Sequence, residues 1–226
     1  MKQILILLTA GTFLMTACTS APDADKVQTT NKQEVAAGTG NSFTVDTTAS
    51  VIGWIGTKQT GQHNGIFEVK EGSLNVEGGN LTGGSFVIDM TSLNVKDLTG
   101  EDKAKLEGHL KSPDFFQADQ FPVAKFEITK VEAFDASKST TNLPGATHLI
   151  SGNLTLKDST KNVTFPAKIT VNENSVTAAA DFNIDRTEWG INYKGPNNPV
   201  DWFIKKEVNL KVNLKADHSS LQANLK

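Results

Sequence analysis

One side chain is chemically singular in this sequence: Arg186 is the only arginine, against 21 lysines. A guanidinium presents a planar fork of donors that fits a carboxylate or a phosphate, and the point charge of a lysine does not reproduce it. The single use of arginine therefore predicts a fixed partner. That partner is either an internal acid, such as Asp185 or Glu188, or the anionic head group of a bound molecule.

Two of the four histidines, His63 and His109, are the other candidates for polar recognition. We expect them to join Arg186 at the mouth of a binding site as donors, or else to satisfy buried backbone groups. A metal site would need His63 and His109 with Asp185 or Asp89, but their spacing is not diagnostic of one. The sequence has no nucleophile elbow, no His-Glu-x-x-His, no phosphate loop and no dinucleotide fingerprint. We therefore expect no catalytic residues and no metal.

The only cysteine, Cys18, closes an N-terminal segment that has the features of an export signal. Residues 1–17 carry one charge, Lys2, and an apolar run too short to span a bilayer. The sequence Leu14-Met15-Thr16-Ala17-Cys18 resembles the bacterial lipobox, whose cysteine is lipidated and becomes the mature N-terminus. It predicts a lipid-anchored protein of the bacterial cell envelope, and Thr19 after the cysteine favours the outer membrane, facing the periplasm. The alternative is an ordinary secretory signal with a chance cysteine.

The segments that flank the folded part are polar. Residues 18–41 contain no aromatic residue and only Val27 and Val35 as larger apolar side chains. Such a stretch buries too little apolar surface to offset its ordering entropy, so we expect the lipidated cysteine to be followed by a flexible tether. Residues 216–226 are predicted to form a polar tail. A single folded domain is expected between them, over residues 42–215.

Within that domain, apolar and polar residues alternate repeatedly, as in Val163, Phe165, Ala167 and Ile169. A period of two predicts β-strands with one apolar face. Turn sequences such as Glu71-Gly72 and Gly78-Gly79-Asn80 separate the runs and predict antiparallel hairpins. About eight strands in roughly 170 residues suit one barrel, closed or nearly closed.

One window, Glu101–Lys111, has the pattern of a helix instead. Leu106 and Leu110 are four residues apart on one face, acids occupy the first turn, and Pro113 ends the run. Such a helix is expected to cover an edge or an opening of the barrel. The predicted fold is thus all-β, a single antiparallel barrel of about eight strands with one short helix.

The charge and cysteine content exclude several classes of partner. The chain carries 22 Lys+Arg against 25 Asp+Glu, a net charge of -3, and its lysines are not clustered into a stripe. Such a chain has no general field for attracting phosphate backbones, so nucleic acid is not an expected partner. A single cysteine also excludes an internal disulfide and a cysteine-rich zinc site.

Several motifs resemble, in order, those of the YceI-like family. The run Gly108–Phe116, followed by Gln120–Phe126, resembles its central signature. The flanking matches are Phe43–Asp46, Gly65–Phe67, Ile88–Leu93 and Ser151–Lys157, so the resemblance covers about Ser42 to Lys215. The chain departs from the family where Trp54–Lys58 lacks a histidine and where Asp158-Ser159 replaces the usual glycine. These departures resemble a lipoprotein branch of the family.

The resemblance implies a lipocalin-like barrel whose apolar interior holds a long-chain lipid, such as a polyisoprenoid, a quinone or a fatty-acyl amphiphile. No other cofactor is expected, and a homodimer is compatible with the sequence. An eight-stranded barrel is wide enough either to be filled by its own side chains or to hold one small ligand. The residues expected to line the interior are Trp54, Phe67, Phe86, Ile88, Leu106, Leu110, Phe115, Phe116, Phe126, Leu154, Leu156, Phe165 and Phe182, with His63, His109 and Arg186 at its polar mouth.

Three hypotheses on function follow. The first is a membrane-anchored envelope lipoprotein that binds a long-chain amphiphile in its barrel as a carrier, a store or a sensor. The second is a filled barrel that acts as an interaction or stress-protective module of the envelope, for which an exposed apolar patch is required. The third is a metal-dependent hydrolase at the mouth, which requires a cluster of metal ligands.

Overall fold

The computed structural model of the protein describes residues 20–194 and 204–218. The predicted signal peptide, Cys18 and residues 219–226 of the predicted tail lie outside these ranges. No helix within them has the length and the apolarity that a bilayer crossing requires.

The described residues form one sheet that closes on itself, which confirms the predicted antiparallel barrel. The strands are β1 (Asp25–Lys26), β2 (Thr29–Asn31), β3 (Asn41–Val45), β4 (Val51–Lys58), β5 (Gly61–Glu77), β6 (Asn80–Val95), β7 (Val123–Ala133), β8 (His148–Leu156), β9 (Ser159–Val171), β10 (Ser175–Asp185) and β11 (Ile204–His218). The last eight make the closed ring: β4 pairs with β5, each later strand pairs with the next, and β11 pairs back onto β4.

The β5–β6 hairpin confirms one predicted turn and corrects another. Gly78 and Gly79, with φ angles of 57° and 81°, supply the left-handed residues of a two-residue turn. Glu71-Gly72, in contrast, is not a turn, because β5 continues through it as one strand of 17 residues. The pairing register with β6 shifts between Val69 and Glu71, so an irregularity bends the strand there without ending it.

The predicted helix is present as α1 (Gly100–Lys111). Glu101 and Asp102 lie in its first turn and His109 and Lys111 in its last, as the helix dipole favours. None of its residues is fully buried, although Leu106 and Leu110 pack partly against the core. The helix follows β6, so it lies at one end of the barrel, called here the helix end.

Residues 20–40, predicted to be a flexible tether, lie along the outside of the barrel as a segment that is called here the belt. Asn153 accepts from the Gln33 backbone N–H at 3.0 Å and donates to the Gln33 carbonyl at 2.8 Å. Asn183 donates to the Pro22 carbonyl at 2.8 Å, and Thr82 bonds both backbone groups of Thr39. The belt is therefore ordered although it has little apolar surface to bury, because side chains of the barrel supply hydrogen-bond partners for its backbone.

Part of the belt completes the barrel wall. Strands β9 and β10 pair with each other only over Lys168–Val171 and Val176–Ala179, which lie away from the helix end. Nearer the helix end, β1 pairs with β10 and β2 pairs with β9, so the belt fills the seam between them. The folded domain accordingly begins before the predicted residue 42.

The other predicted boundary also shifts, because β11 extends to His218 instead of ending at residue 215. Ala216 is fully buried and pairs with Val45 of β3. Residues 216–218 thus belong to the barrel and not to a polar tail. The inward faces of all eight barrel strands form one continuous apolar core.

Candidate functional site

Half of the barrel interior, called here the filled half, is packed with aromatic rings. Phe86 lies 5.3 Å from Phe126, Phe126 lies 5.6 Å from Phe165, and Phe165 stacks on Phe182 at 4.1 Å. Phe126 occupies the space above Gly152, where a Cβ atom would lie 2.1 Å from its Cζ. Phe86, Phe126, Leu154, Phe165 and Phe182 were predicted to line a ligand site, and the structure places them in the packed core and not on the cavity described below.

The hollow half of the interior, toward the helix end, contains a cavity of about 270 Å³. On four strands, β6, β7, β8 and β10, a residue that lines the cavity is only two positions along the strand from a residue of the filled half. The predicted residues that line it are Trp54, Phe67, Ile88, Leu106, Leu110, Phe115, Phe116 and Leu156, with His63, His109 and Arg186. Such a volume is close to the lower end of ligand pockets, at roughly 300 Å³, and far exceeds the space of one water.

Other lining residues were not predicted. Ile52 and Met90 are each two positions from a predicted residue on the same strand, so strand periodicity could have found them. Nothing in the local sequence indicates that Ile191 lies on the cavity, because it comes from a connection and not from a strand. The remaining lining residues are Gly56, Thr57, Lys58, Ala124, Ile184, Ile204, Val208 and Leu210.

Helix α1 and the segment after it contribute the side of the cavity at the helix end. Leu106, His109 and Leu110 of the helix line it. His109 packs edge-on against Phe115 and Tyr193, at 5.2 and 4.8 Å between ring centroids. Its Nε2 lies 3.1 Å from a carboxylate oxygen of Asp114. His109 is thus held by aromatic and acidic neighbours beside the cavity.

Trp54 is the largest side chain of the cavity wall, and its indole lies against Gly65 of the neighbouring strand. A Cβ atom at Gly65 would lie 2.6 Å from the Trp54 ring, so only glycine admits the indole there. The indole Nε1 of Trp54 and the hydroxyl of Thr57 are buried without a hydrogen-bond partner among the described residues. Trp54 is 8% exposed and Thr57 is 1% exposed. A buried unpaired polar group costs about 1–3 kcal/mol, so both lower the stability of this part of the wall, and neither atom has accessible surface toward the cavity.

Lys58 and His63 form a chain of hydrogen bonds that ends on Asp97. Lys58 Nζ lies 3.1 Å from His63 Nε2, and His63 Nδ1 lies 2.8 Å from Asp97 Oδ2. Because an ammonium only donates, Nε2 accepts and the ring proton is on Nδ1, facing Asp97. Burial alone would raise the pKa of Asp97, but hydrogen bonds from the Asn64 backbone and from His63 outweigh it and hold that pKa below its usual value.

Arg186 lines the cavity, but its guanidinium is bound to the backbone of the chain around it. Its side chain donates to the carbonyl groups of Lys205, Ile191, Tyr193 and Ile204. The predicted ion pair is absent from the described residues, where Asp185 instead pairs with Lys206 at 2.7 Å. Burial lowers the pKa of Arg186, against the opposing charge of Asp185. The fixed partners of the arginine are therefore carbonyl groups. Its main role is to join residues 191–193 to residues 204–205 beside the cavity, a region called here the rim.

The rival hypotheses receive no support from the described part of the chain. No three potential metal ligands come together there, since His63 pairs with Asp97 and His109 with Asp114. Its exposed large apolar side chains are Val35 and Val123 alone, which do not make an extended patch. The cavity itself contradicts a completely filled barrel.

Comparison with known proteins gives one family. The model of the YceI-like domain matches residues 43–216. BcnA of Burkholderia cenocepacia is 19% identical, with a TM-score of 0.60 over 76% of this chain and 99% of that one. A polyisoprenoid binding domain from Saccharophagus degradans, implicated in plant cell wall breakdown, is 16% identical, with a TM-score of 0.56 over 82% and 99%. At these identities the likeness shows the fold alone, and no curated protein matches the sequence.

Proposed function

This chain belongs to the YceI-like family, and from that premise we propose that it binds a long-chain amphiphile in the hollow half of its barrel. The observation that carries the proposal is the cavity, whose wall is built almost entirely from aliphatic and aromatic side chains. Burying a hydrocarbon chain there stabilises the complex by roughly 25 cal/mol per Å² of apolar area removed from water. The polyisoprenoid binding domain from Saccharophagus degradans, which has the same fold, supports a lipid as the ligand.

Gly56 offers a direct test, because a Cβ atom there meets only the Trp54 ring, at 3.8 Å. The substitution Gly56→Leu should therefore fill the cavity without distorting β4. Gly53 is the matched control: it lies on the same strand, away from the cavity, and a Cβ atom there meets Lys211 at an ordinary 3.5 Å. Gly53→Leu should leave binding unchanged.

The measurement is native mass spectrometry with organic extraction, on a chain that begins at Thr19 and is exported to a bacterial periplasm. That chain keeps every described residue, including the belt. We expect a bound mass that extracts as an amphiphile from the wild type and from Gly53→Leu, and its loss from Gly56→Leu. A protein that stays free of ligand after incubation with polyisoprenols, quinones and fatty acids would contradict the proposal.

We further propose that Cys18 is lipidated and holds the domain on the envelope membrane, facing the periplasm, where it acts as a carrier, a store or a sensor. The belt supports a close attachment, since the carbonyl of Pro22 is already bonded to the barrel by Asn183. Three residues, 19–21, would separate the anchor from that point and reach about 10 Å when extended. Cys18→Ser should move the protein from the membrane fraction to the soluble fraction. Unchanged membrane association of Cys18→Ser would exclude this anchor.

A further inference from the structure

Among the described residues that line the cavity, Lys58 is a cation whose side chain only donates hydrogen bonds. It is the last residue of β4, toward the helix end. None of the described residues that line the cavity is an aspartate or a glutamate. The wall thus offers donors and positive charge to its contents, and no carboxylate.

The charge of Lys58 is not neutralised by a direct partner in the described ranges. Its Nζ contacts His63 Nε2, which uses one of the three ammonium hydrogens and leaves two. Asp97 faces the far side of the imidazole, where it fixes the ring proton on Nδ1. His63 is therefore oriented to accept from Lys58, and this holds the ammonium at the end of β4.

Arg186 adds a second permanent charge to the same wall. Most of its donors are taken by carbonyl groups, so it acts through its field more than through new hydrogen bonds. A charge that lies against an apolar cavity is poorly screened, and its attraction for an anion is stronger than the same pair would have in water.

We propose that the bound amphiphile carries an oxyanion head, a carboxylate or a phosphate, that accepts hydrogen bonds from Lys58 at the end of β4. This inference rests on the proposed function and specifies its ligand. The head accepts from the ammonium hydrogens that His63 does not use, and the hydrocarbon chain lies against the aliphatic wall. Neutral lipids of equal chain length leave the charge of Lys58 without a counterion.

The test compares three probes of one chain length: hexadecanoic acid, hexadecyl phosphate and hexadecanol. Each is titrated by calorimetry into delipidated protein that begins at Thr19. We expect the acid or the phosphate to bind at least about tenfold more tightly than the alcohol, because hydrogen bonds to charged groups are the stronger ones. The better of the two anions identifies the source of the oxyanion.

Variants assign the effect to residues. Lys58→Met should weaken binding of the preferred anion about tenfold and leave the alcohol unchanged, and Lys58→Arg should restore part of the loss. Lys130→Met removes an exposed lysine of β7 that pairs with Glu132, so it is the matched control and should change nothing.

Two results would overturn the inference in different ways. Equal affinities for the acid, the phosphate and the alcohol would refute the oxyanion site and leave the lipid-binding proposal standing. Failure of all three probes, and of a polyisoprenol, to bind would refute both.

Discussion

The two halves of the barrel interior are built from the same strands and the same alternation, yet one is solid and the other is hollow. Both seat an aromatic ring over a glycine of the neighbouring strand: Phe126 over Gly152 in the filled half, and Trp54 over Gly65 in the hollow half. In the filled half, further rings continue from Phe126 across the interior. The cross-strand neighbour of Trp54 is the aliphatic Leu210, and both side chains border the cavity instead of a further ring.

The boundary between the halves is narrow. On β6, Ile88 lines the cavity and Phe86 does not, and on β10 the same holds for Ile184 and Phe182. On each of these strands, a shift of two residues leads from a side chain that is packed in the filled half to one that lines the cavity. The packed rings of the filled half therefore lie directly beside the wall of the cavity.

The largest effect should come from removing a ring of the filled half. Phe165 lies between Phe126 and Phe182 and is buried, so Phe165→Ala should lower the free energy of unfolding by about 3–5 kcal/mol. Denaturant unfolding measures this loss. Lipid binding by the folded variant should be unchanged, because Phe165 does not line the cavity.

Phe67→Ala in the hollow half is the matched control. Phe67 already borders open space, so its truncation enlarges a cavity instead of creating one and should cost only about 1.5–3 kcal/mol, the transfer contribution. It should also alter lipid binding. Equal losses of stability in Phe165→Ala and Phe67→Ala would show that the two halves do not differ as described.

The next effect concerns the rim of the hollow half, which Arg186 holds together. Arg186→Lys keeps a positive charge but cannot reach four carbonyl groups, so we expect a loss of about 2–3 kcal/mol. Hydrogen exchange should accelerate at residues 190–194 and not in the filled half. A lysine variant as stable as the wild type would mean that the carbonyl contacts contribute little.

A smaller effect is expected from the belt, which closes the seam of the hollow half between β9 and β10. Asn153→Ala removes both bonds to the Gln33 backbone and should cost about 1–3 kcal/mol. Limited proteolysis should then cut residues 32–40 faster. Ser151→Ala is the control, because the Ser151 hydroxyl bonds Thr164 of β9 and has no hydrogen bond to the belt among the described residues. Equal cleavage in the two variants would show that Asn153 does not fasten the belt.

The sequence predicted the barrel, the helix and the inward faces because these depend on periodicity, which is local. It could not predict that Ile88 lines the cavity and Phe86 does not, because both side chains face the interior. The difference depends on which side chains they contact across the barrel. Arg186 was identified by its rarity, but its carbonyl partners come from distant segments that only the fold assembles. The belt was missed for a related reason: its composition is that of a linker, and the asparagines that order it belong to other strands.

The smallest effect should appear in acid, again at the rim. Asp185 accepts from the Thr187 backbone and hydroxyl at 3.0 and 2.6 Å and from Lys206 at 2.7 Å. Burial alone would raise the pKa of Asp185, but these bonds and the Lys206 charge outweigh it and hold the pKa below its usual value.

A depressed carboxyl pKa stabilises the fold above the unfolded value of about 3.9, and the contribution is lost as pH falls through the lower, folded value. We therefore expect hydrogen exchange at residues 186–193 to accelerate below about pH 4, before the filled half opens. Asp185→Asn can still cap Thr187 but no longer titrates, so its rim stability should depend less on pH over the same window. Other carboxylates with lowered pKa, such as Asp46 and Asp135, are common to both proteins, so the difference between the two profiles reports Asp185. Identical profiles would show that this carboxylate does not hold the rim.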